Sequence, residues 1–114
     1  MTNKTKEIEV TENDRQALIS RLVDELPVLR TKLGTSQDEI ANIVGISRQT
    51  YSSIETKRRK MSWGIFLSLI LVFDSNESTH DFLRKAGLFP QMILKDIEVS
   101  SKTLPIGSRY DCYI

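Results

Sequence analysis

The sequence predicts an all-α fold, and three observations carry the prediction. Apolar residues recur at helical rather than strand spacing across most of the chain. Capping residues stand where the periodic segments begin, at Ser36, Ser47 and Ser62. Glycines stand where they end, at Gly34, Gly45 and Gly87. With 114 residues the chain can bury one modest core. We place that core in a five-helix domain at residues 13–90, with a flexible N-terminus at 1–12 and a partly irregular tail at 91–114.

The first helix is written by Leu18, Leu22, Leu26, Leu29 and Leu33, at steps of three and four. Asn13 is its expected N-cap and Gly34 its stop. Pro27 lacks a backbone donor and disfavours helical geometry in Leu26, so a kink or two abutting helices are expected there. The second helix opens on Ser36 and Glu39, the two ends of an S-x-x-E capping box, with Asp38 adding favourable charge in the first turn. Ile40, Ile43 and Val44 supply its apolar face, and Ala41 permits a close helix crossing. Only Gly45 and Ile46 separate it from the next N-cap, Ser47, so residues 36–56 read as a helix-turn-helix.

In the stretch "GISRQTYSSIETKRRKMS", successive side chains of the second motif helix are rotated by about 100°. Thr50, Tyr51 and Ile54 then share the inward side, with the Tyr51 hydroxyl expected to reach the surface. Arg48, Gln49, Ser52 and Thr56 share the outward side, with Ser53 at its edge. Lys57, Arg58, Arg59 and Lys60 follow where the chain leaves the helix. Base edges call for donors and acceptors on a slim helix, and phosphates for cations at its margins. The charge distribution agrees. Residues 1–28 carry four Lys/Arg and six Asp/Glu, 29–60 seven and three, and 61–114 five and six, so the middle third holds the positive field.

The stretch "LRTKLGTSQDEIANIVGISRQTYSSIETKRRK" closely resembles the helix-turn-helix of lambda-repressor-like (Cro-type, Xre family) bacterial and phage regulators. The shared features are the Leu-Arg-x-x-x-Gly lead, Ser36-Gln37, Glu39-Ile40-Ala41, Gly45-Ile46-Ser47 and Ile54-Glu55, and the likeness extends over roughly residues 26–90. Three departures stand out: Tyr51 in an aliphatic position, Lys57 where glycine or asparagine often closes the helix, and an extra or extended N-terminal helix. The resemblance implies a sequence-specific regulator of transcription, a repressor, that binds double-stranded DNA as a homodimer through a recognition helix at 47–56. Carried over by position, it assigns base contacts to Arg48, Gln49, Ser52 and Ser53. Phosphate contacts fall to Gln37 and Ser47, joined by Lys57, Arg58, Arg59 and Lys60.

Beyond the motif, Ser62 caps a helix over Trp63–Phe73 that is apolar nearly all round. Ser78 and Asp81 suggest the next N-cap, ahead of Phe82, Leu83 and Ala86, with Gly87 closing that helix. A two-fold interface is expected at Leu83, Leu88 and Phe89, together with any exposed face of Trp63–Phe73. The tail scatters Ile97, Val99, Leu104 and Ile106 at strand-like alternation, and a mobile arm is the favoured reading.

Enzymatic classes fit poorly. His80 is the sole histidine and Cys112 the sole cysteine, far apart, so no nucleophile–base pair is suggested. No glycine-rich phosphate loop or metal-ligand spacing occurs, and no cofactor is implied. The polar N-terminus, the unpaired cysteine and an apolar run too short for a bilayer point to a soluble cytoplasmic protein. The alternative from another functional class is an antitoxin-like module that binds and neutralises a partner protein, a toxin. A small basic toxin gene beside this one would favour it.

Overall fold

The leucine stripe of the first helix sets the frame on which the other helices pack. The computed structural model describes residues 10–91. The expectations for residues 1–9 and for the tail beyond Gln91, Cys112 included, lie outside the described residues.

Helix α1 (Glu12–Leu33) begins one residue before its expected cap, so Asn13 is inside the helix rather than capping it. It also runs through Pro27 as one element, not two. Leu22, Leu26 and Leu29 are fully buried on both sides of the proline, while Pro27 itself faces solvent. Tertiary packing of that stripe outweighs the one ladder hydrogen bond the proline removes. Helix α1 ends at Gly34, with the Thr35 N–H donating to the Arg30 carbonyl at 3.1 Å.

Helices α2 (Gln37–Val44), α3 (Arg48–Glu55), α4 (Trp63–Ser75) and α5 (Glu77–Lys85) follow. Helix α1 packs on α3, α4 and α5, α2 packs on α3 and α4, and α4 lies against α5. The buried core comprises Phe66, Leu69, Ile70 and Phe73 of α4, Leu22, Leu26 and Leu29 of α1, Ile40 of α2, Ile54 of α3 and Leu83 of α5. Ring stacking of Trp63 on Phe66, with centroids 4.7 Å apart, covers the start of α4. The far side of α4 is another matter: Leu67 and Leu71 are 37% and 68% exposed.

The α4–α5 junction corrects one expectation. Asn76, not Ser78 or Asp81, is the N-cap of α5, and its side chain reaches back to donate to the Val72 carbonyl at 2.8 Å. The buried Thr79 hydroxyl donates to the Phe73 carbonyl at 2.6 Å. Asp74 accepts both arms of the Arg84 guanidinium, at 2.9 and 3.0 Å, which holds its carboxyl below the usual carboxylate range. Side chains of α5 thus satisfy the carbonyls left open at the end of α4. Gly87 (φ 71°) closes α5. The left-handed backbone there favours glycine, and the Arg21 guanidinium lies against it, donating to the Ala86 carbonyl.

A second correction concerns the expected interface. Leu83 and Leu88 are 0% and 1% exposed, and Phe89 is half-buried under the Arg84 guanidinium, 3.7 Å from its ring centroid. Leu83 and Leu88 therefore complete the monomer's own core. Ile43 is likewise corrected: placed on the apolar face by its spacing, it is 61% exposed, because α2 buries only Ile40 and Ala41.

Candidate nucleic-acid interface

The motif is built by local rules. Ser36 accepts from the Glu39 N–H at 3.1 Å and Glu39 accepts from the Ser36 N–H at 2.9 Å, the reciprocal capping box. Gly45 (φ 89°) turns the chain, and both its N–H and that of Ile46 donate to the Ala41 carbonyl. Ser47 then caps α3, accepting from the Thr50 N–H at 3.0 Å while its hydroxyl donates to Thr50 Oγ1 at 2.9 Å.

Helix α3 divides into two sides. Tyr51 and Ile54 are buried, at 0% and 1%. Arg48 and Gln49 are exposed, Ser52 and Ser53 half-buried, and these four with Arg58 line one shallow hollow on the surface. Arg48 also lines a second hollow, shared with Arg30, Ser36, Gln37 and Asp38 at the N-terminus of α2. The residues expected to meet base edges and the one expected to meet phosphate from α2 are therefore contiguous through Arg48.

Behind them lies an arrangement that the sequence did not disclose. Glu55 accepts from Arg30 Nε at 3.1 Å and Nη2 at 3.2 Å, from the Tyr51 hydroxyl at 3.2 Å and from the Gln37 amide. Arg30 Nη1 also donates to the Thr35 carbonyl at 3.2 Å. One carboxylate thus fastens α1, α2 and α3 together directly beneath the outward face. The Tyr51 hydroxyl accordingly does not reach the surface. Burial, then the Glu55 carboxylate, pushes its ionisation far above the ordinary range, so it stays a donor. The hydrogen bond to Glu55 raises the Arg30 guanidinium too. Tyr51 and Glu55 are helical neighbours four residues apart, but nothing at a separation of 25 residues links Arg30 to them in the sequence. The Gln37 amide carries two N–H donors, so the one held by Glu55 leaves the other for an outside acceptor.

At the exit of α3, Lys57 adopts the left-handed conformation (φ 68°) that glycine or asparagine usually takes. The Arg58 N–H donates to the Ser53 carbonyl at 2.8 Å, completing the turn. Lys57 Nζ lies 2.7 Å from Asp24 Oδ1 of α1. Lys57, Arg58, Arg59 and Lys60 are all exposed and rim a hollow whose floor includes Ile19, Ile54 and Met61.

A five-helix domain with this tight α2–α3 turn, a polar outer face on α3 and cations at its exit is a DNA-binding helix-turn-helix domain. Residues 29–62 match the family model described as helix-turn-helix, of the Cro/C1 type. No curated protein and no solved structure matches the chain. Among the described residues, no helix is long and apolar enough to cross a membrane.

Proposed function

We propose that this protein is a sequence-specific transcriptional repressor that inserts α3 into the major groove as a homodimer. The observation that carries the reading is the outward face of α3, where Arg48 and Gln49 stand exposed with no partner side chain among the described residues. Arg48 is assigned to guanine and Gln49 to adenine, the pairings their donor geometry favours. Ser52 and Ser53 make shorter-range base contacts along the same hollow. Gln37, Ser47 and the cations 57–60 engage phosphates on either side and set the register. For Ser47 the backbone N–H serves, since its hydroxyl is committed to the cap. Repression by occupancy needs nothing beyond this binding.

Two copies are needed because one recognition helix contacts only a few base pairs; pairing sets half-sites about 34–36 Å apart or a multiple of that. The exposed Leu67 and Leu71 of α4, rather than Leu83 and Leu88, favour a protein partner on that side. A second copy is one such partner, and an unrelated protein, as in the antitoxin-like reading, is the other. Selection of bound fragments from a random-sequence DNA pool tests the proposal. Enrichment of a two-fold symmetric site is expected. Failure to enrich any sequence, with the protein folded, would remove the regulator reading and leave the protein-partner one.

A further inference from the structure

We propose that Asp24 of α1 sets the DNA affinity of this domain by competing with the phosphate backbone for Lys57; the inference rests on the DNA-binding reading above. Its starting point is an asymmetry among the four cations at the exit of α3. Among the described residues, Lys57 alone of the four is ion-paired, to Asp24 at 2.7 Å. Within the same residues, the Arg58 side chain meets only the Thr56 hydroxyl, at 3.4 Å, and Arg59 and Lys60 have no side-chain partner. Lys57 is also the one of the four held in the left-handed conformation.

The pair is not a structural anchor. Its two side chains are 65% and 55% exposed, in water that screens the attraction, and such pairs contribute little to folding. What Asp24 does change is the field met by an approaching polyanion. It places one negative charge within the basic cluster and gives Lys57 an acceptor that a phosphate must displace before counterions are released there. Asp24 lines the same hollow as Lys57, Arg58, Arg59 and Lys60, so it faces the surface that phosphates would follow. Phosphate contacts carry no base information, so its effect falls on affinity for every sequence alike and leaves discrimination untouched.

The test is fluorescence anisotropy with two labelled duplexes, one carrying the selected site and one of unrelated sequence, across a salt series. Asp24→Asn is expected to tighten binding to both by about three- to fivefold near 0.1 M salt and to steepen the salt slope by up to about 0.9, as the Lys57 contact no longer competes with an ion pair. In a Lys57→Gln background the same substitution is expected to give a clearly smaller gain and no steeper salt slope, because only the field of the removed charge is left to act. Unchanged or weaker binding by Asp24→Asn overturns the inference. So does a gain of the same size in the Lys57→Gln background, or a gain confined to one duplex. Circular dichroism of each variant checks that the fold persists at this exposed site. Wild-type protein that binds neither duplex defeats the DNA-binding reading itself, a result distinct from wild type that binds while Asp24→Asn does not differ.

Discussion

Among the described residues, two ion pairs join α1 to the recognition helix or its exit: Arg30 with Glu55, and Asp24 with Lys57. The first is 21% and 6% exposed, is bidentate, and shares its carboxylate with Tyr51 and Gln37. The second is a single contact between side chains that are more than half exposed. Distance misleads here, because the shorter contact is the weaker one. A buried carboxylate with four donors cannot lose one partner without leaving others unsatisfied, whereas an exposed pair exchanges each partner for water. The inner pair therefore belongs to the fold that aims α3, and the outer one to the surface that meets DNA.

The largest effect that bears on this contrast comes from the core itself. Leu88→Glu is expected to unfold the domain, since it buries an unpaired charge in a site 1% exposed and costs more than about 4 kcal/mol. Loss of the helical circular dichroism signal checks it. A folded monomer instead would return Leu88 to the interface first expected of it.

Next comes the inner pair. Glu55→Ala strands the Arg30 guanidinium and the Tyr51 hydroxyl in part-buried positions, and about 3 kcal/mol of stability is expected to go. Urea denaturation measures it. A loss below about 1 kcal/mol would place the inner pair in the same class as the outer one.

Removing the outward guanidinium isolates recognition from folding. Arg48→Ala should leave stability within about 0.5 kcal/mol while costing ~1–3 kcal/mol of discrimination at one base position per half-site. Repeating the fragment selection with the variant reads this out. Specificity unchanged in a folded variant would move the base contact elsewhere on α3.

How much of this was legible beforehand depends on the reach of each interaction along the chain. The caps at Ser36, Ser47 and Ser62 and the stops at Gly34, Gly45 and Gly87 are local, and the residues that satisfy them lie within a few positions. The two sides of α3 follow from helical geometry alone, and the burial of Tyr51 and Ile54 agrees with it. Periodicity also marked Ile43 as apolar, but it cannot say whether a neighbouring helix arrives to cover it. The same blindness put Leu83 and Leu88 on a surface when they complete a core. Glu55 shows the limit best: its partners come from three helices, and only the packed fold makes them neighbours. Pro27 is the converse case, a local signal for a break that long-range packing of Leu22, Leu26 and Leu29 overrides.

A third carboxylate, Asp74, ties stability to pH. The Arg84 guanidinium, first among the causes, holds Asp74 below its ordinary value of 3.8. A depressed folded-state value means stability that is present above the unfolded value and lost as pH falls through the folded one. Thermal melts of the wild type should therefore decline below about pH 4, and Asp74→Asn should flatten that decline while slightly lowering stability at pH 7. A variant with the same acid limb as wild type would assign it to other carboxylates.

The smallest effect tests the outer pair where its terms oppose. Lys57→Gly relieves a left-handed residue, which for a side-chain-bearing residue costs roughly 1–2 kcal/mol. It also gives the unfolded chain more freedom to lose, about 0.5–1 kcal/mol, and removes an exposed pair worth about 0–1 kcal/mol. These nearly cancel, so stability should move by less than about 1 kcal/mol in urea denaturation. A loss beyond about 1.5 kcal/mol would mean that Asp24 anchors the loop after all, and the contrast between the two pairs would collapse. A gain beyond the same figure would show that the backbone strain at Lys57 outweighs everything its side chain contributes, and that this lysine is kept for what it meets outside the fold.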